Sequence, residues 1–212
     1  MSERLPKSAF LLHGFLRTGA SMWPMKRALQ QAGYRKLVSP TYFYQFRSIA
    51  EVAAELAPQL VHAAEATGEP IDIVTHSYGG LIARAVLPLA PVRRVVMLAP
   101  PNQGAKIAEI ARKTLPVHHL GWDPLRDVLP GVPSELPTTP AEIAIITGGS
   151  GNERGFNPLL GADNDQTVRV DEAYLDGARA FRVLRRRHSF LMFDAEVQKL
   201  TLAFLRHGAF PD

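Results

Sequence analysis

The residues best placed to do chemistry are Ser77, Asp163, Asp165 and His188. Ser77 lies in Ile71-Asp72-Ile73-Val74-Thr75-His76-Ser77-Tyr78-Gly79-Gly80. There a β-branched apolar run meets a serine and two glycines, and Leu81 to Leu89 then shows apolar residues at helical spacing. A buried parallel strand that passes at once into a helix forces the serine onto a sharp turn. Such a turn lifts the hydroxyl above the carboxyl edge of a sheet and sets it at a helix N-terminus. Strand and helix pass so closely that the flanking residues must be small. Gly79 and Gly80 meet that need after the serine, whereas Thr75 occupies the position two before it, where the pattern G-x-S-x-G has glycine. The chemistry such a turn serves is nucleophilic attack by a hydroxyl; the alternative is a Ser-Tyr-Gly-Gly loop with no chemical role.

A serine hydroxyl is a poor nucleophile at neutral pH, so this reading requires a histidine base and an acid to orient it. Of seven histidines, His13 lies in the first loop, His62 in mid-helix, His76 beside the serine, His118 and His119 in a proline-rich segment, and His207 near the end of the last helix. Only His188 directly follows a strand late in the chain, which makes it the expected base. The acid is expected in Gly161-Ala162-Asp163-Asn164-Asp165-Gln166-Thr167-Val168. Asp165 is the first choice, because Thr167 to Val170 reads as an extended segment able to pin it, and Asp163 reads as a turn former or a hydrogen-bond partner within the loop. The Asp-x-Asp spacing resembles a calcium loop, but the required glycine and distal glutamate are missing, so no metal site is expected.

Attack on a carbonyl also needs donors for the developing oxyanion. His13-Gly14-Phe15-Leu16 gives a glycine-containing turn after the first strand, so the amide of Phe15 is one expected donor and the amide of Tyr78, next to the serine, the other. His13 reads as an anchor for that loop; with Gly14, His76 and Gly79 it completes the supporting set.

The elements that must position these groups alternate along the whole chain. Strands are expected at Ala9 to Leu12, Lys36 to Ser39, Ile71 up to Ser77, Val95 to Ala99, Ile143 to Thr147 and Phe181 to Arg185. Helices are expected at Ser21 to Gln31, Ser48 to Ala66, Leu81 to Leu89, Lys106 to Leu115 and about Ala195 to Leu205. The pattern predicts an α/β fold with a mostly parallel sheet of about six strands, helices on both faces, and ligands at the carboxyl ends of the strands. One domain over residues 1–212 is expected. Within it, residues 104–140 carry Pro116, Pro124, Pro130, Pro133, Pro137 and Pro140 and read as a lid, a pocket wall or a plain crossover connection.

Composition narrows the functional classes. With 46% hydrophobic and 21% charged residues the chain can bury a full core. The net charge of +4 is scattered except at Arg185-Arg186-Arg187, which reads as a solvated strand end, so nucleic-acid binding is not expected. Cysteine is absent, which excludes disulfides and thiolate chemistry. The N-terminus lacks a signal-like apolar region and no stretch approaches the roughly 20 apolar residues of a bilayer span, so a cytoplasmic protein is expected.

Together these residues resemble the α/β-hydrolase family, more narrowly its compact lipase- and esterase-like members. The resemblance rests on the His13-Gly14 turn, the His76-Ser77-Tyr78-Gly79-Gly80 elbow, the turn Ala99-Pro100-Pro101-Asn102-Gln103-Gly104 and the late His188, and it runs from Phe10 to about Phe210. Thr75 departs from it, as does Gln166, where lipase-like relatives often have glycine after the acid. The resemblance implies a minimal α/β-hydrolase fold and cofactor-free acyl-enzyme chemistry on a small ester or lipid, with peripheral lipid contact. It also implies Ser77 as nucleophile, Asp165 as acid, His188 as base, and Phe15 and Tyr78 as oxyanion donors. An acyltransferase or thioesterase would use the same set, and a non-catalytic binding protein could keep the fold.

Overall fold

Every strand alternates its apolar residues between two faces, and the two faces are covered by different helices. The structure, a computed structural model, describes residues 8–44, 46–114, 123–137 and 141–211; Leu115, Pro116, His118, His119 and Pro140 lie outside them. Six strands are present among these residues: β1 (Ser8–Leu12), β2 (Lys36–Val38), β3 (Ile71–His76), β4 (Val92–Leu98), β5 (Glu142–Gly148) and β6 (Ala180–Leu184). They form one sheet in the order β2-β1-β3-β4-β5-β6, and every pairing is parallel. The α/β reading of the sequence holds.

Phe10, Leu12, Ile71, Ile73, Val95, Met97, Ile143 and Ile145 share one buried cluster with α2 (Ile49–Thr67) and α3 (Gly79–Val86). Ala9, Leu11, Val74, Val96, Leu98, Ala144 and Ile146 share the other with α1 (Trp23–Gln31) and α5 (Ala195–His207). Period-two alternation thus divides each strand between two cores, as a parallel sheet covered on both faces requires.

Local chemistry explains where the elements begin and end. Ser48 caps α2 by accepting from the Glu51 amide at 3.2 Å, while the Glu51 carboxylate accepts from the Ser48 amide at 2.7 Å, a reciprocal capping box. Left-handed Gly68 closes the same helix. The first expected helix divides into a 3-10 turn at Gly19–Met22 and α1, because Pro24 fits the first turn of an α-helix but not its interior. Pro88 likewise converts the end of the third helix into a 3-10 turn, Leu87–Leu89. β4 begins three residues earlier than expected, because its two arginines are held: Arg93 by the Asp72 carboxylate, at 3.0 and 2.7 Å, and Arg94 by the Glu142 carboxylate at 2.5 Å and the Leu205 carbonyl at 3.0 Å. No helix among the described residues is long and apolar enough to cross a membrane.

Backbone strain collects at one edge. The non-glycine residues with positive φ among the described residues are Leu16 (51°), Ser77 (52°), Ala99 (46°) and Gln166 (98°). The first three directly follow or lie just beyond the carboxyl ends of β1, β3 and β4, and Gln166 lies in the loop between β5 and β6. Such conformations cost on the order of 1–3 kcal/mol each and persist where surrounding packing fixes them. The packing here is severe. A Cβ on Gly79 would stand 2.4 Å from the Leu12 carbonyl oxygen and 2.8 Å from that of His13. Gly79→Ala is therefore expected to lower unfolding free energy by roughly 2–3 kcal/mol in urea denaturation, since backbone cannot rotate away as a side chain would.

Candidate active site

Ser77 stands where β3 gives way to α3. Its amide donates to the Leu98 carbonyl at 2.8 Å, and the Gly80 amide donates to its own carbonyl at 2.8 Å, which fixes the residue in its left-handed conformation. Helix α3 can start so abruptly because Gly79 rests on the end of β1 and Gly80 on Pro100, whose Cβ would lie 2.8 Å from an added methyl. Thr75, buried beneath this turn, is accommodated: its Oγ1 would stand 3.5 Å from a Cβ at Gly80, an ordinary contact. Among the described residues the Ser77 hydroxyl has no hydrogen-bond partner, and it opens onto a cavity.

Asp165 and His188 meet. His188 Nδ1 lies 2.7 Å from Asp165 Oδ2, and both side chains are buried. A carboxylate can only accept, so Nδ1 carries a proton and donates to it. Asp165 Oδ1 accepts from the amides of Thr167 at 3.0 Å and Val168 at 2.8 Å, its own amide donates to the Val168 carbonyl at 3.0 Å, and the His188 amide donates to its carbonyl at 2.9 Å. Thr167 and Val168 therefore pin the Asp165 carboxylate. Asp163 faces elsewhere: Oδ1 accepts from the Ser150 amide at 2.7 Å and Oδ2 from the Gly151 amide at 3.1 Å, which ties the acid loop to the turn after β5. Gln166 is held at φ 98° by its amide bond to Asn164 Oδ1 at 2.9 Å.

The supporting histidines are neutral anchors. Burial lowers the pKa of His13 below 6.5; its Nδ1–H donates to the Gly14 carbonyl at 2.9 Å, its Nε2 accepts from the Tyr42 amide at 3.2 Å, and its ring stacks on Tyr42 at 4.0 Å. Burial, and secondly the neighbouring His188, push His76 well below 6.5. His76 Nε2–H donates to the His188 carbonyl at 3.1 Å, which binds the residue next to Ser77 to the residue that meets Asp165. The opposite ring atom, Nδ1, is buried without a partner among the described residues. A Cβ on Gly14 would lie 2.9 Å from that Nδ1 and 3.0 Å from the Ser77 Cβ, so only glycine lets the turn carrying Phe15 approach the serine. Among the described residues neither the Phe15 nor the Tyr78 amide donates within the protein, while Leu16's amide is taken by the Tyr44 hydroxyl.

The cavity beside Ser77 has a volume of about 250 Å³. Phe15, Tyr78 and Pro101 form one side, Ile107, Ala108 and Ala111 of α4 (Lys106–Thr114) another, and among the described residues no charged side chain lines it. Ala105, Leu125, Val128, Thr167 and Val168 complete the lining.

Several residues with structural consequence gave no sequence signal. Asn164 is buried in the middle of the acid loop: its Oδ1 accepts from the Asn157 and Gln166 amides, each at 2.9 Å, and its Nδ2 donates to the carbonyls of Ala162 at 2.7 Å and Asn157 at 3.0 Å. The Asn/Asp bias of the loop was the available sign, since such side chains replace backbone partners in turns. Glu172 accepts from the Lys106 amide at 2.7 Å and the Arg169 amide at 2.8 Å, so it caps α4 from the acid loop; burial raises its pKa. Arg84 is a buried cation on α3 that donates to the carbonyls of Asn102 at 3.3 Å and Leu136 at 2.6 Å, with its pKa brought down by burial to about 10.

The profile of the Alpha/beta hydrolase family matches residues 9–199. No match was found among curated protein sequences. Among solved structures, the chain is similar to the mature form of the Bacillus licheniformis lipase BlEst2, with 17% identity, a TM-score of 0.77, and 97% of this chain and 94% of that one covered. It is also similar to Aspergillus fumigatus lipase B, with 13% identity, a TM-score of 0.66, and 94% and 52% covered. For phospholipase PlaB from Legionella pneumophila the values are 17%, 0.56, 81% and 45%. At these identities the likeness is one of fold.

The buried, neutral His76 makes stability depend on pH. Its folded pKa lies below the unfolded value near 6.5, so the unfolded chain binds a proton that the folded chain refuses. The stabilisation is complete above pH 6.5 and falls by up to ~1.4 kcal/mol per pH unit below it. His76→Gln keeps a donor for the His188 carbonyl but cannot titrate. Denaturation midpoints between pH 7 and 5 should therefore show a slope reduced by about one proton, and an unchanged slope would contradict a neutral His76 in the folded chain.

Proposed function

Because the chain belongs to the Alpha/beta hydrolase family, we propose that it is a serine hydrolase that cleaves carboxylic esters through an acyl-enzyme intermediate. The observation that carries this reading is the buried Asp165–His188 hydrogen bond of 2.7 Å, tied through His76 to the strained turn of Ser77. The lipases among similar structures support the ester class.

Each residue of the site has its own task. Ser77 Oγ attacks the ester carbonyl while His188 Nε2 takes its proton; the imidazolium that forms is stabilised by Asp165, which stays ionised. The carbonyl electrons move onto oxygen, where the amides of Phe15 and Tyr78, with the N-terminus of α3 behind the latter, receive the negative charge. Collapse of the intermediate breaks the bond to the alkoxy group, which leaves with the proton from His188. Water, deprotonated by the same nitrogen, then releases the acid and restores Ser77. The Ser77 hydroxyl forms its contact with His188 as substrate fills the site. The reaction needs no metal or organic cofactor.

The apolar cavity receives the acyl group, and Ala105, α4, Leu125 and Val128 act as one wall of it. A volume of about 250 Å³ lies below the roughly 300–1,000 Å³ of drug-sized ligand sites, so short to medium acyl chains fit it best. Activity on p-nitrophenyl esters should pass through a maximum at short or medium chain length and fall for long chains.

The decisive experiment is labelling with a fluorophosphonate probe: wild type reacts and Ser77→Ala does not. Absence of labelling in the wild type, or equal labelling of the variant, refutes the assignment. Asp165→Asn should lower kcat by about 10³–10⁴, because asparagine offers one acceptor oxygen where the carboxylate uses two, for the Thr167 and Val168 amides and for His188 Nδ1–H, and carries no charge to stabilise the imidazolium. Asp163→Asn, which alters only a loop tie, should remain within about tenfold of wild type; the reverse order would assign the acid to Asp163.

A further inference from the structure

Arg17 stands where the oxyanion turn meets the loop of the proposed base, and among the described residues its charge has no carboxylate partner. Its amide donates to the Gly14 carbonyl at 3.3 Å, closing the turn that carries Phe15. Its guanidinium Nη2 donates to Ser189 Oγ at 2.9 Å, the residue after His188. A hydroxyl is a weak partner for a half-buried guanidinium with five donors in a planar fork.

The acids on the elements around it are committed elsewhere. Asp165 accepts from His188 and two amides. Asp194 pairs with Arg186 and caps α5 through the amides of Glu196 and Val197. Across the neighbouring loop Glu55 pairs with Arg47, and Glu51 is occupied by Ser48. The other cation nearby, Arg187, lies over the Phe156 ring at 5.2 Å and reaches Gln166.

The surroundings of Ser77 therefore differ in kind. The cavity, which no charged side chain among the described residues lines, suits an apolar group. Arg17 and Ser189 lie outside it, and the charge of Arg17 is close enough to act on the His76 ring next to Ser77. We propose that Arg17 is a specificity-determining residue that binds an anionic group, phosphate or carboxylate, carried on the alcohol side of the substrate. The inference rests on the ester-hydrolase reading, in which the acyl chain fills the apolar cavity and the alcohol lies outside it. A planar guanidinium matches the two oxygens of a phosphate or carboxylate, and the hydroxyl of Ser189 holds it until the anion arrives.

The test uses two butyrate esters of one phenol: 2-nitrophenyl butyrate and its ring-sulfonated analogue, 4-butyryloxy-3-nitrobenzenesulfonate. The readout is the ratio of kcat/KM for the anionic to the neutral ester. In Arg17→Gln this ratio should fall about tenfold, mainly through KM, and Arg17→Lys, which keeps the charge but not the planar fork, should fall less than Arg17→Gln. The wild-type preference should weaken as salt rises, because an exposed pair is screened. An unchanged ratio in Arg17→Gln, including equal losses on both esters, overturns the proposal. Failure of the wild type to react with the fluorophosphonate probe would instead overturn the hydrolase reading beneath it. A lipid headgroup and a soluble ester can present the same anion. Inhibition by phosphatidylglycerol vesicles alone assigns the lipid, inhibition by glycerol 3-phosphate assigns the soluble ligand, and inhibition by neither counts against the site.

Discussion

The contact on which the rest of this molecule depends is the first turn of α3 lying directly on the carboxyl end of β1. Gly79 touches the Leu12 and His13 carbonyls so closely that no side chain fits between them. That approach leaves no room for a connecting loop, so the residue between β3 and α3 must reverse the chain alone, and Ser77 does so at φ 52°. The same approach brings the turn after β1 against the serine, with Gly14 lying over the Ser77 Cβ. One packing constraint thus sets the direction of a hydroxyl, the position of the Tyr78 amide at a helix N-terminus and the nearness of the Phe15 amide. The left-handed serine costs on the order of 1–3 kcal/mol, and a sheet packed on both faces can hold it.

The second half of the site has a different physical basis. Asp165 is carried by a long irregular segment and His188 by a short turn after β6, and burying irregular backbone is unfavourable unless each amide and carbonyl finds a partner. Side chains supply those partners. Asn164 replaces the backbone on four sides, Asp163 holds the turn after β5, and Glu172 holds the start of α4. The acid loop is therefore a polar core in miniature. The rigidity needed at Asp165 arises from hydrogen bonds where a strand would have used a ladder, and each lost partner would leave a buried group costing about 1–3 kcal/mol.

Much of this architecture was legible in the chain, for reasons that also explain the parts that were hidden. The strands were visible because parallel strands covered on both faces read as apolar runs, and Ile71 to Val74 or Val95 to Leu98 can hardly be anything else. The serine turn was visible because Gly79 and Gly80 answer a steric demand that arises within three residues. Asp165 was distinguishable from Asp163 by its neighbours Thr167 and Val168, whose amides it receives. Asn164, Glu172 and Arg84 were not visible, because, beside the near partners of Asn164 and Glu172, each has partners 7 to 66 residues away in sequence, and no local pattern marks a side chain that caps a remote helix or binds a remote carbonyl. Helix ends shifted where proline allowed a first turn but not an interior one, as at Pro24 and Pro88, which periodicity cannot register.

Arg84 and Arg17 show how differently one residue type acts under different exposure. Arg84 is surrounded by protein, and its Nη1 and Nη2 donate to the carbonyls of Asn102 and Leu136, joining the turn after β4 to Leu136. Burial brings its pKa down to about 10, still far enough above neutrality to keep the charge, so the cation is held by dipoles alone. Such a group resists replacement, because a smaller side chain would leave two carbonyls unpaired. Arg17, half-buried at the edge, meets one hydroxyl among the described residues. Its position arises from the same constraint that sets Ser77: the turn drawn in by Gly14 must end somewhere, and its last residue is delivered beside the loop that carries His188. A charge placed there by the backbone is oriented before any ligand arrives, which reduces the entropy lost when an anion is bound.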